Sequence, residues 1–228
     1  MIVAEQKPLN EIKSMINDAR RVLIVGCGTC VTVCFAGGTK EVAILGSSLR
    51  MATQLDGNGK AIDEVTVQRQ CEWEYIDPLE AQLDNYDLVL SLGCGVGVQT
   101  LAERFPSKRI VPGLNTSFMG LPVEQGVWEE RCQACGNCIL HLTGGICPIT
   151  RCSKQLLNGP CGGSQNGRCE IDPETPCAWQ LIWERMTALG LQDQLLQIQP
   201  PKDWRTSRDG GPRRIIRDDL RLPKEYQE

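Results

Sequence analysis

The sequence predicts an α/β protein with a parallel-sheet N-terminal domain, an irregular cysteine-rich domain and an extended C-terminal tail. Three observations carry this. Strand-length apolar runs alternate with helix-period segments in the first half. Eight of the 13 cysteines crowd between Cys132 and Cys177, in a stretch rich in Gly and Pro with no clear period. Beyond Pro200-Pro201 the chain turns polar and arginine-rich, with Trp204 and Gly210-Gly211. The boundaries drawn from these shifts are 1–122, 123–199 and 200–228.

The elements follow in order. Ile12, Met15, Ile16 and Ala19 recur at helical spacing after Pro8, with Asn10 as the expected N-cap. Val22-Leu23-Ile24-Val25 is a continuous apolar run ending at Gly26, the mark of a strand buried on both faces. Helical pattern resumes around Val31. After the break at Gly37-Gly38 it returns over Thr39–Gln54, with Val42, Leu45, Leu49 and Ala52 on one face. Asp56-Gly57-Asn58-Gly59 is turn chemistry. A strand is expected around Val65 and Val67, a short helix over Pro78–Leu83, and a third strand over Asp87–Leu92. Val98–Phe105 reads as a helix and Arg109-Ile110-Val111 as a fourth strand. This rhythm implies a parallel sheet with helices on its faces. Near Pro122 the pattern stops. An amphipathic helix, Ala178 to about Leu189, closes the cysteine-rich domain with Trp179, Ile182, Trp183 and Met186 on one stripe. The tail past Pro200 reads equally as a partner-binding arm or as a frayed terminus.

Composition narrows the function. A formal net charge of −4 argues against nucleic acid or an anionic membrane as partner. No run approaches the about 18 apolar residues of a membrane span. The start, Met1 to Pro8, lacks a basic then apolar leader, so a cytoplasmic chain with reduced thiols is expected. Dense thiols in such a compartment point to metal, and with His141 as the single histidine any site must be mostly thiolate. His141 is given no role, and one histidine supports no hydrolytic triad. No catalytic residue is assigned.

Cys27, Cys71 and Cys94 each follow a predicted parallel strand, and the carboxyl ends of such strands share one edge of the sheet. Cys30, one helical turn further on, is the expected fourth thiolate; Cys34, four residues beyond it, is the alternative. The same region contains Gly26-Cys27-Gly28, the start of a dinucleotide loop without its third glycine, and the glycine-rich turn Gly93–Gly97. A nucleotide-binding oxidoreductase is therefore a competing reading, and small buried core thiols are another.

In the second half, Cys132-Gln133-Ala134-Cys135-Gly136-Asn137-Cys138 has the C-x₂-C-x₂-C spacing with which a short loop wraps one corner of a 4Fe–4S cube. A zinc knuckle would need one thiol fewer. Cys147, Cys152, Cys161, Cys169 and Cys177 bring the group to eight, enough for two four-thiolate sites. The expected partition is Cys132, Cys135, Cys138 and Cys177 against Cys147, Cys152, Cys161 and Cys169. One of these could be Cys₄ zinc, and a disulfide-stapled module is the alternative. On this reading the second domain is a ferredoxin-like iron–sulfur domain.

Three segments of this stretch, Cys132–Gly136, Gly144-Gly145-Ile146-Cys147-Pro148 and Asn158-Gly159-Pro160-Cys161-Gly162-Gly163, resemble the methylenetetrahydrofolate reductase C-terminal family. With Gly26–Gly38 added, about residues 10–205 are similar to the small cysteine-rich subunit of the two-subunit methylenetetrahydrofolate reductases of acetogenic bacteria. The resemblance implies a non-catalytic electron-transfer subunit of an oxidoreductase in one-carbon metabolism, the Wood–Ljungdahl pathway. It implies two or three 4Fe–4S clusters, with zinc in place of one as the alternative. It implies as partner a flavin-bearing TIM-barrel subunit that interconverts methylene- and methyltetrahydrofolate, with ferredoxin or a larger redox complex as the electron carrier. No folate or flavin pocket is legible in this chain. A zinc-organised interaction subunit without redox role remains the other alternative.

Overall fold

The computed structural model describes residues 1–221. The chain forms two compact units, Met1–Glu130 and a second from Arg131 onward. The final part of the expected tail, 222–228, lies outside the described residues.

The first unit is built on a parallel sheet. Strands β1 (Ile2–Gln6), β2 (Arg21–Cys27), β3 (Ala61–Val67), β4 (Leu88–Ser91), β5 (Arg109–Pro112), β6 (Leu114–Glu124) and β7 (Val127–Cys132) alternate with helices α1 (Leu9–Met15), α2 (Cys30–Val33), α3 (Thr39–Leu55), α4 (Trp73–Ile76), α5 (Glu80–Leu83) and α6 (Gly95–Arg104). The parallel sheet has the order β3-β2-β4-β5. β2 lies in its middle, registered Val25↔Val65 with β3 and Val25↔Ser91 with β4.

Both faces of this sheet are covered, and successive residues choose opposite sides as the pleat requires. Val22 and Ile24 of β2, with Leu88 and Leu90 of β4, join Val42, Leu45 and Leu49 of α3 in one core. Leu23, Val25 and Val89 point the other way, to Ile76, Leu79, Leu83, Leu101 and Phe105. The continuous apolar runs are explained by this double burial.

A second, antiparallel sheet of order β1-β6-β7 was not legible in the sequence. β1 pairs with β6 through Ile2↔Met119 and Gln6↔Leu114, across more than a hundred residues. β6 runs through Pro122 and turns back as β7. The first helix is also corrected at its start. Pro8 is the N-cap, without a side-chain cap bond, and Asn10 lies inside the helix.

The second unit has little regular structure. Its helices are α7 (Pro148–Arg151) and α8 (Ala178–Ala188). Trp179, Ile182 and Met186 of α8 are buried with Cys177, whereas Trp183 of the expected stripe is 52% exposed. The first residues after Pro201 are not a free arm within this unit. Lys202 Nζ donates to Asn137 O at 3.0 Å, Thr206 Oγ1 to Cys135 O at 2.8 Å, and Arg213 Nη1 to Ala134 O. No helix among the described residues is long and apolar enough to cross a membrane.

Truncating a side chain between the sheet and α3 leaves a cavity that close packing cannot refill. Leu90→Ala is expected to lower the unfolding free energy by about 2–5 kcal/mol in urea titrations. A loss below about 1 kcal/mol would contradict this placement of the core.

Candidate metal centres

The parallel sheet delivers three thiols to one edge. Cys27 is the last residue of β2, Cys71 follows the end of β3, and Cys94 follows the end of β4. β3 and β4 flank β2, so Cys27 is central, and the crossovers to left and right diverge between β2 and β4. Ligands of open α/β sheets gather outside the carboxyl ends at such a divergence. Burial pushes the Cys71 thiol up first, and the neighbouring Cys27 and then Cys94 thiols push it further. Cys27 is anchored on both sides of its peptide: its N–H donates to Gly37 O at 2.9 Å, and its carbonyl accepts from Thr32 Oγ1 at 2.7 Å.

Cys30 opens α2 and is half-buried. The thiol it influences is Cys34, where burial is the main effect and raises the pKa. Cys34 is turned into the core. Its Sγ faces Ala4 O at 3.5 Å and Val31 O at 3.6 Å, against β1. α2 is only four residues long and stops at Cys34, with Phe35 in the left-handed region (φ 54°).

The glycine turn after β2 spends its amides internally. Gly28 N–H donates to Val67 O at 2.9 Å, and the Cys27 amide is bonded as described. Gly95 N–H in the second turn donates to Thr116 Oγ1 at 2.8 Å. A dinucleotide loop needs such amides free for pyrophosphate. These two are not.

In the second unit the Cys132–Cys138 loop turns tightly at two residues. Ala134 (φ 54°) and Gly136 (φ 82°) are left-handed, and between them the chain curls so that Ala134 N–H donates to Cys132 Sγ at 3.3 Å. At Gly136 a Cβ would collide with Thr206 O, so the tail segment and the glycine lock together. Amide donors of this kind stabilise thiolate charge.

The other cysteines are grouped differently from the expected partition. Cys152, Cys161, Cys169 and Cys177 line one cavity, together with Lys154 and Glu170. Cys177, expected with the Cys132 triplet, is thus in this wall. Cys147 is outside it, half-buried at the start of α7 with its Sγ 3.6 Å from Thr150 Oγ1. Two backbone bonds close the loop that makes the wall, Cys169 N–H to Thr175 O at 2.9 Å and Cys177 N–H to Gly167 O at 2.8 Å.

This wall also has polar and charged neighbours that the cysteine spacing did not reveal. A hydrogen bond with Ser153 (3.5 Å) leads the effects that lower the Cys169 pKa. Cys161 Sγ donates to Glu170 Oε2 at 3.3 Å, and Glu170 pairs with Lys154. Lys154 is held protonated chiefly by Glu170, with Cys161 and Cys169 adding to it. A cation beside clustered thiolates offsets their mutual repulsion.

Among the described residues all 13 cysteines are free thiols, and no three His, Cys, Asp or Glu side chains form a set that could hold a metal ion. The donors present are thiols, with an N–H···S bond at Cys132 and a lysine in the Cys152–Cys177 wall, the chemistry that thiolate-bound groups use in proteins generally. His141 lies in a short turn, Leu140–Leu142, and joins none of these groups.

Residues 111–205 match the family model described as methylene-tetrahydrofolate reductase C terminal, which relates this stretch to that enzyme. The match spans all eight cysteines from Cys132 to Cys177 and begins within β5. No curated protein and no solved structure matches the chain.

The thiol environments make a testable order. In the reduced, metal-free chain at pH 7, iodoacetamide is expected to label Cys169 faster than Cys71, and Cys34 slowest, because a lowered pKa raises the thiolate fraction. Ser153→Ala is expected to slow Cys169. Mass-spectrometric labelling rates check both; Cys34 reacting as fast as Cys169 would contradict the assignment.

Proposed function

We propose that the chain is an iron–sulfur electron-transfer subunit of a two-subunit methylenetetrahydrofolate reductase in the cytoplasm. It would pass electrons between an external carrier such as ferredoxin and the FMN of a catalytic partner that interconverts methylene- and methyltetrahydrofolate. The observation that carries this reading is the Cys132–Cys138 loop, with left-handed Ala134 and Gly136 and an amide donated to Cys132 Sγ, inside the stretch matched to the reductase family.

In this reading the ligand sets are three. Cys152, Cys161, Cys169 and Cys177 form one, supported by their shared cavity. Cys132, Cys135 and Cys138 take Cys147 as their fourth ligand, since Cys177 belongs to the other wall. Cys27, Cys71 and Cys94, with Cys30, form the third at the sheet edge. Bound 4Fe–4S clusters would supply one-electron transfer, with potentials spanning about −700 to +450 mV in proteins generally. The chain's own residues hold thiolates apart at fixed turns, donate amides to sulfur and place Lys154 against accumulating negative charge. In this reading bond making falls to the partner.

Anaerobic purification followed by iron, sulfide and zinc analysis and EPR tests the reading. Iron and acid-labile sulfide in the amount of two or three cubes per chain are expected, with reduced-state EPR signals. Stoichiometric zinc with negligible iron would replace the reading with a zinc-organised interaction subunit. The ligand sets have their own test. Cys152→Ser and Cys177→Ser should each lose the same share of iron, and the double variant no more. Cys147→Ser combined with Cys177→Ser should lose both shares. Equal losses from Cys132→Ser and Cys177→Ser that do not add would restore the partition expected from sequence.

A further inference from the structure

One buried side chain beside the sheet edge is unexplained by packing alone. Gln70 is 1% exposed, and an amide taken out of water is costly unless fully bonded. Its Nε2 donates to Val25 O at 2.8 Å. Its Oε1 accepts from Ser91 Oγ at 2.6 Å, and Ser91 Oγ in turn accepts from Gly93 N–H at 3.1 Å. Ser91 is fully buried as well.

The positions of these partners are the point. Val25 stands two residues before Cys27, Gly93 one residue before Cys94, and Gln70 itself immediately before Cys71. A single side-chain amide, carried on the residue before Cys71, therefore bonds the strand that leads into Cys27 and, through Ser91, the turn that leads into Cys94. The neighbouring loop is shaped to admit it. A Cβ on Gly93 would fall inside the Gln70 amide, and one on Gly97, within α6, would come 2.8 Å from Gln70 Cβ. Glycine inside a helix weakens it, so the space at Gly97 is kept at a cost to α6.

We infer that Gln70, with Ser91 as its relay, is the positioning residue of the Cys27–Cys71–Cys94 centre: it fixes the spacing of the three strand ends before anything binds there. The inference rests on the reading of these thiols as one ligand set. It goes beyond that reading in naming the group that presets them. Thiols preset in this way bind without first ordering their turns, and outer partners of metal ligands typically contribute about 10- to 100-fold in affinity.

The test uses the full chain, reconstituted anaerobically with ferrous iron and sulfide. Cys71→Ser defines the share of iron held by the N-terminal centre. Gln70→Leu keeps the volume and removes the bonds; Ser91→Ala removes only the relay and decides the question should Gln70→Leu fail to fold. Both variants are expected to lose that same share of iron, or to release it to a chelator at least about tenfold faster. A shifted midpoint potential in the EPR titration of this centre alone is also expected. Cys71→Ser losing its share while both variants keep wild-type iron, release rate and potential would overturn the positioning role. Cys71→Ser retaining all iron would instead remove the centre itself, and the inference with it.

Discussion

Hydrogen bonds between β2 and its two neighbours hold three strand ends at spacings of about 4.8 Å, and the account of the N-terminal domain depends on this ladder. Cys27, Cys71 and Cys94 are far apart in sequence. Only parallel pairing, with every strand pointing the same way, puts their turns on a common edge. The apolar runs that make the sheet thus also bring the three turns to one edge. Burial of Leu23 and Val25 on one face and Val22 and Ile24 on the other fixes the register, because a slip of one residue would exchange the two faces.

The second unit solves the opposite problem. Its buried apolar cluster is small, centred on Cys177, Trp179, Ile182 and Met186. A core of that size does not order a long stretch of turns by itself. Local bonds do part of the work: the Gln165↔Arg168 and Arg168↔Pro176 bridges, the Cys169 and Cys177 amide bonds, and the tail segment bonded to Ala134, Cys135 and Asn137. In the proposed function, metal–thiolate bonds supply the rest, so that folding of this unit and loading of its centres are one process.

What the sequence made legible follows from the same physics. β2 and β4 were readable because burial on both faces leaves an unbroken apolar run, and α3 because its period is long and regular. β1, β6 and β7 were not. β6 contains Gly120 and Pro122, which read locally as breakers, yet its pairing partners decide the outcome, and Gly120 sits where the Glu129 carbonyl of β7 leaves no room for a Cβ. The three strand-end thiols were readable from topology. The inward turn of Cys34 was not, because it depends on where a four-residue helix stops. Nor was the seating of Cys177 beside Cys152, Cys161 and Cys169, since no periodicity links a turn-rich loop to its fold. Gln70, Ser91, Ser153 and Lys154 carried no spacing signal at all, and only their contacts mark them out.

The most direct measurement of the central claim is anomalous diffraction from anaerobically grown crystals, collected on both sides of the iron edge and at the zinc edge. The account predicts iron density enclosed by Cys152, Cys161, Cys169 and Cys177, by Cys132, Cys135, Cys138 and Cys147, and at the sheet edge by Cys27, Cys30, Cys71 and Cys94. Zinc alone at these positions, or thiols bound to no metal in iron-replete material, would contradict it.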